Sequence, residues 1–238
     1  MSNIREFYIF AQPVKTDIGH IDFIKVKDFP LLFNDLQVMS MGKWEIIHRY
    51  RDANKDRSLD DFIKRLEGQS LYEIVTDMKS FLFSYQNVFN YVFRDETSIE
   101  HIDEGNFESI RRLILDMNNV IEPASSPVYE VHKALERSRR VKNLEGSKVS
   151  LDDMFTSIVV ATGVSYLEIQ EEWTVYQFFA TYYRVRQFKE FDVSTLFATV
   201  SEKAKVKAWN EHIDMFESES HSMTESEFQK QVGGIFSD

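Results

Sequence analysis

Residues 70–93, SLYEIVTDMKSFLFSYQNVFNYVF, decide the fold class. Leu71, Ile74, Val75, Met78, Leu82, Tyr85, Val88, Phe89 and Val92 recur at three- and four-residue spacing, the period that lines up side chains along one helix face. Neither Gly nor Pro interrupts them, so the spacing predicts one long helix from Ser70 to Phe93. Phe81, Phe83 and Tyr91 widen the apolar stripe beyond one face, which places this helix at the centre of a bundle.

The same period extends to both sides. Asp28 is positioned to cap a helix carrying Phe29, Leu32, Phe33 and Leu36, with Pro30 tolerated in its first turn. Gly42 separates it from Trp44, Ile47, His48 and Arg51, and Ser58 with Asp61 resembles a capping box ahead of Phe62, Ile63 and Leu66, a helix that Gly68 ends. Only the N-terminal segment has period two. Phe7 and Ile9, then Ile21, Phe23 and Ile24 to Val26, alternate with polar residues around a Thr16-Asp17-Ile18-Gly19 turn, which predicts two short strands forming a hairpin. The expected fold is therefore mainly α, a helical bundle with a short N-terminal β-hairpin.

Beyond residue 93, Phe107, Ile110, Leu113, Ile114 and Met117 predict a helix that Pro123 to Pro127 breaks. Those two prolines mark either a boundary between domains at 1–122 and 128–238 or a tight loop inside one fused domain. The next helix, Val128 to Leu144, carries Arg137, Arg139, Arg140 and Lys142, read as a solvated face. Ser150 and Gly163 are positioned to cap a helix holding Met154, Phe155, Ile158 and Val159 at its two ends. From Trp173 to about Phe191 runs a second aromatic helix, and the Glu- and Ser-rich stretch 217–227 reads as a mobile tail ending in an apolar stripe of Phe228, Val232, Ile235 and Phe236.

Composition excludes several function classes. The 238 residues include 28 Lys or Arg against 39 Asp or Glu, a net charge of -11 that opposes phosphate binding over most of the surface, so nucleic acid is not an expected partner. Zero Cys removes disulfides, thiolate metal sites and Cys nucleophiles. No apolar run reaches the ~20 residues of a membrane span, and Arg5 and Glu6 interrupt the first apolar stretch, so a cytoplasmic protein is expected. Eight Gly form no phosphate loop and no nucleophile elbow. The six His include no i, i+4 pair; His101 with Asp103 and Glu104, and His212 with Asp214, read as surface polar clusters. Asp60-Asp61 and Asp152-Asp153 lie in first turns, where carboxylates complement the helix dipole. No enzyme activity, catalytic residue, metal or cofactor is expected from these residues.

Thr174-Val175-Tyr176-Gln177, Tyr183-Arg184, Phe191-Asp192-Val193-Ser194-Thr195-Leu196-Phe197 and the run from Trp209 through Ile213-Asp214 to Phe216 resemble tail assembly chaperones and related morphogenesis proteins of long-tailed bacteriophages. Val26-Lys27-Asp28-Phe29-Pro30 and Ser58-Leu59-Asp60-Asp61-Phe62 are similar to the N-terminal halves of those proteins. The resemblance implies a non-enzymatic factor of the host cytoplasm that binds the tape measure protein and tail tube subunits. A permanent virion component or a scaffold-like protein is the alternative. Expected partner-binding residues are Trp173, Tyr176, Phe179, Tyr183, Arg184 and Trp209, since the aromatics from Trp173 to Phe191 exceed what one face of one helix buries. The protein's own bundle or a second copy of the chain, a homo-oligomer, would cover the same surface.

Overall fold

The computed structural model describes residues 4–54, 60–94, 97–145, 149–200, 206 and 208–215. The expected fold class is found: eleven α-helices and one two-stranded antiparallel sheet lie among these residues. After a 3-10 helix, Ile4–Phe10, strands β1 (Val14–Thr16) and β2 (Gly19–Ile21) pair with Thr16 opposite Gly19. Then come α1 (Phe29–Met39), α2 (Lys43–Ala53), α3 (Asp60–Gly68), α4 (Leu71–Asp77), α5 (Lys79–Val92), α6 (Thr97–Glu100) and α7 (Glu104–Met117). Past the prolines follow α8 (Tyr129–Glu145), α9 (Leu151–Thr162), α10 (Tyr166–Glu172) and α11 (Val175–Ala198). Ser58 and the 217–236 tail lie outside the described residues.

Two local expectations are corrected. Phe7 and Ile9 belong to the 3-10 helix, and both are exposed, whereas Tyr8 between them is buried against Phe23 and Tyr176. The first strand begins instead at Val14, after Ala11 turns the chain with a φ of 54°. The expected long helix of residues 70–93 is two helices, because Met78 takes an extended conformation at φ -100° and ψ 103°. A Ser70–Glu73 capping box starts α4, and Thr76 Oγ1 bonds back to the Tyr72 carbonyl at 2.9 Å near its end. The break lets Ile74 enter a cluster with Ile46, Ile47, Ile63 and Leu66 while Tyr85, Val88, Phe89 and Val92 enter the main core. Each fully buried aliphatic or aromatic side chain is worth roughly 1.5–3 kcal/mol, more than the helix hydrogen bonding lost at one residue. Phe83 is exposed, so the stripe is narrower than its sequence implies.

Residues 22–26, expected as part of the second strand, lie outside β2 and pair with two different neighbours. Asp22 N donates to the Val92 carbonyl at 2.8 Å, Val26 N to the Trp173 carbonyl at 3.0 Å, and Val175 N to the Ile24 carbonyl at 2.9 Å. The segment thus ties the end of α5 to the start of α11. The main core forms around it from α1, α5, α7 and Val175 and Tyr176 of α11; a second cluster of Val26, Ile158, Ile169, Phe178 and Tyr182 joins α9, α10 and α11. Ser150 and Gly163 cap α9 as expected, Gly163 in the left-handed region at φ 76°.

Arg111 is the largest fully buried side chain. Its Nε donates to the Met39 carbonyl at 2.8 Å and to the Tyr85 hydroxyl at 3.2 Å; its Nη1 donates to Glu122 at 2.8 Å and Glu108 at 3.1 Å. Met39 ends α1, so the guanidinium satisfies an orphan carbonyl at the negative pole of that helix. Burial pushes the Tyr85 hydroxyl up to about 12, keeping it a neutral donor to the same carbonyl. Glu122 reaches Arg111 past Gly42, where an added Cβ would lie 2.3 Å from Glu122 Oε1.

Truncating Arg111 to Ala leaves Glu122 without its main partner and Met39 with only the Tyr85 hydroxyl, and is expected to cost about 3–5 kcal/mol in urea unfolding. Gly42→Ala displaces Glu122 and is expected to cost about 1–3 kcal/mol. Because the clash is with that one side chain, the Gly42→Ala penalty should shrink to about 0.5 kcal/mol or less in a Glu122→Ala background; an unchanged penalty in the double-mutant cycle refutes this coupling.

Candidate functional site

The expected partner-binding residues are divided by the fold. Thr174 and Gln177 form a capping box that starts α11, and Trp173 just ahead of it is half-buried beside Val26 and Phe178. Tyr176 is buried edge-on against Tyr8 at 5.5 Å, and burial raises its hydroxyl pKa. Phe179 bridges the two apolar clusters, set edge-on to Phe29 at 6.3 Å, and Tyr183 stacks on it at 6.4 Å. These four side chains pack the protein's own interior. Arg184 Nη1 donates to the carbonyls of Trp209 and Glu211, each at 3.0 Å, and so fastens segment 208–215 along α11. Of the six, Trp209 alone is exposed, its ring edge-on to Phe188 at 6.0 Å.

Exposed apolar surface lies further along the same helix. With 24 residues α11 spans about 36 Å, twice the length of α9, and its second half extends beyond the shared cluster. Val193, Leu196, Phe197 and Val200 are between 52% and 80% exposed, and Val160 on α9 is 85% exposed. Between the two helices lies a groove of about 830 Å³ whose apolar wall includes Val160, Ala161, Val185, Val193 and Phe197. Its rim carries Arg186 and Glu190, paired at 2.9 Å, and Lys189, which faces Asp192 at 3.7 Å. Sequence reasoning stopped this helix near Phe191, although Val193, Leu196, Phe197 and Val200 continue its three-and-four spacing.

A different chemistry occupies the contact between α2 and α8. Helical spacing puts Glu45, His48 and Asp52 on one face of α2, and Tyr129, His132, Lys133 and Glu136 on the facing side of α8. Glu45 and His132 are almost completely buried. His132 Nε2 lies 3.8 Å from Glu45 Oε2 and 3.7 Å from Glu136 Oε1, and neither ring nitrogen has a hydrogen-bond partner. Burial holds the His132 pKa below its usual value, against the opposing pull of Glu45. Hydrogen bonds to Asp52 and Glu136 hold the Lys133 ammonium well above its usual range, and the same Lys133 contact lowers Glu136. The His48 ring lies 4.5 Å from His132, tilted by 32°, and shares a 2.8 Å hydrogen bond with the Ser126 carbonyl.

Arg137 and Arg140 are exposed, as expected for a solvated face, but Arg139 turns inward toward the Ala124 carbonyl at 3.3 Å. His101 and His212 lie on the surface. Among the described residues, Glu45, His132 and Glu136 are the one group of three or more His, Asp or Glu side chains with ligand atoms close enough for a metal, all within 4.8 Å of one another. His132 and Glu136, four apart on α8, were a legible half of this group. Glu45, from a helix more than eighty residues earlier, was not.

Among the described residues no helix is long and apolar enough to cross a membrane. No solved structure matches the chain. Residues 2–126 match the YomV N-terminal domain and residues 129–214 the YomV second domain. The SPbeta prophage-derived uncharacterized protein YomV of Bacillus subtilis (strain 168) is 34% identical over 225 residues, covering 94% of each chain. With both domain matches and a prophage-derived relative aligned over nearly its full length, the chain belongs to the YomV family.

Proposed function

We propose that this protein is a non-enzymatic tail assembly chaperone that works in the host cytoplasm. It holds the tape measure protein, and through it tail tube subunits, until the tail polymerises. The observation that carries the reading is the apolar groove between α9 and α11, continued by the exposed Leu196, Phe197 and Val200. An amphipathic client helix buries its apolar stripe in such a groove, and exposed apolar surface of this kind marks a binding site rather than a stability element. The prophage relative and the tail-chaperone resemblance of residues 174–216 support the same direction.

The rim is consistent with a soluble client complex. Arg186 and Lys189 are balanced by Glu190 and Asp192, and exposed pairs of this kind contribute only about 0–1 kcal/mol, so affinity falls to the apolar wall. A Leu196→Ser, Phe197→Ser double variant is expected to keep its thermal midpoint, because both side chains are exposed, and to lose about tenfold or more in capture of co-expressed tape measure protein. Unchanged capture by the folded variant refutes the groove as the docking site. Purified virions should lack the protein; its presence there at fixed copy number would instead identify a permanent tail component.

A further inference from the structure

We propose that Glu45, His132 and Glu136 form a binding site for one divalent transition-metal ion of the zinc type, ligated by His132 Nε2, Glu45 Oε2 and Glu136 Oε1. Such a site overturns the metal-free fold expected from sequence. It rests on groups that neither the apolar core nor the docking groove uses.

His132 is fully buried with no hydrogen bond at either ring nitrogen. Buried polar atoms in folded proteins nearly always have partners, and an orphan of this kind calls for an explanation such as a bound ion. Its Nε2 points between two carboxylate oxygens, and the two carboxylates divide their work in the same way. Glu45 uses Oε1 to accept from Arg49 at 2.7 Å and leaves Oε2 without a hydrogen bond toward His132. Glu136 uses Oε2 to accept from Lys133 at 2.5 Å and turns Oε1 toward His132. One oxygen of each acid is thus held by a cation, an outer contact that orients a ligand, while the other faces the imidazole.

The spacing suits metal better than an ion pair. Separations of 3.7 and 3.8 Å are too long for hydrogen bonds, but exceed by only a few tenths of an ångström the roughly 3.4 Å edge of a tetrahedron with ~2.0–2.1 Å bonds. One imidazole and two carboxylates select a zinc-type ion over calcium or magnesium, which take oxygen alone. Glu45 and Glu136 also line a cavity of about 550 Å³, where Arg49, Lys133, Arg137, Arg139 and Arg140 share the wall, so an entering cation competes with their charge for the two carboxylates. Arg139 Nη2, 3.5 Å from Glu45 Oε2 and 3.3 Å from the Ala124 carbonyl, is a competing charge that a bound ion would have to displace. A bound ion would tie α2 to α8 across the proline stretch.

The full chain, free of any affinity tag and stripped with chelator, would be titrated with Zn2+ by calorimetry and with Co2+ by visible absorption. One equivalent should bind, with Co2+ d–d bands of low coordination number and a raised thermal midpoint with Zn2+. Glu136→Gln, at a half-buried position that leaves the fold intact, should weaken Zn2+ binding by about tenfold or more and abolish the midpoint shift. His132→Gln should do the same where it folds. A His101→Ala, His212→Ala double variant should bind as the native chain does. Absence of stoichiometric binding, native affinity in Glu136→Gln, or loss of binding in the His101, His212 variant would each overturn the proposal.

Discussion

A buried guanidinium sets the terms for the N-terminal half of this protein. Arg111 leaves water at a cost of several kcal/mol, which acceptors on its Nε and Nη1 offset while Nη2 is left without a hydrogen-bond partner. Those acceptors come from four places: the end of α1, the Tyr85 hydroxyl of α5, Glu108 one turn back on α7, and Glu122 in the segment after α7. None of these elements can slide without leaving a charge unpaired. Asn119 at φ 52° lets the chain reverse after α7 so that Glu122 returns to Arg111, and Gly42 leaves the space it occupies. Once Glu122 is fixed, the proline segment that follows is fixed with it. Its Ala124 and Ser126 carbonyls then meet Arg139 and His48, which leads the constraint into the α2–α8 contact.

A second tie is made by backbone alone. Residues 22–26 give their amides and carbonyls to Val92 at one end and to Trp173 and Val175 at the other, so a stretch that looks like a sheet strand works as a strap between helix ends. Its side chains complete both main clusters, Phe23 and Ile24 in one and Val26 in the other. The start of α11 is therefore rigid on every side, which explains why the most aromatic part of that helix is interior. Along its far half Val193, Leu196 and Phe197 face outward.

The two candidate sites differ in kind. The α9–α11 groove is apolar, open and rimmed by compensated charges, suited to a helical protein segment. The α2–α8 cluster is small and polar, with cations holding the outer oxygens of the acids around a buried imidazole that has no hydrogen bond. One is suited to changing partners, the other to holding one ion in place.

Helix content, the hairpin turn at Thr16 to Gly19 and the caps at Ser150 and Gly163 were legible in sequence because each depends on residues within four positions of one another. The resemblance carried by residues 174–216 likewise pointed to a phage protein. The break at Met78 was not legible, since no local breaker marks it and it depends on Ile74 meeting one cluster while Val75 and the α5 residues Tyr85, Val88, Phe89 and Val92 fill another. Nor was the division of the aromatics on α11: Tyr176 and Leu196 are both large apolar residues on one helix, and only the neighbours decide that the first is covered and the second is not. By itself the sequence determined that the fold is mainly helical and where several helices are capped, because helical periodicity and capping are local. Tertiary structure alone decided that Arg111 is the central buried charge and that Glu45 meets His132, because burial and long-range pairing depend on which helices the packing brings together.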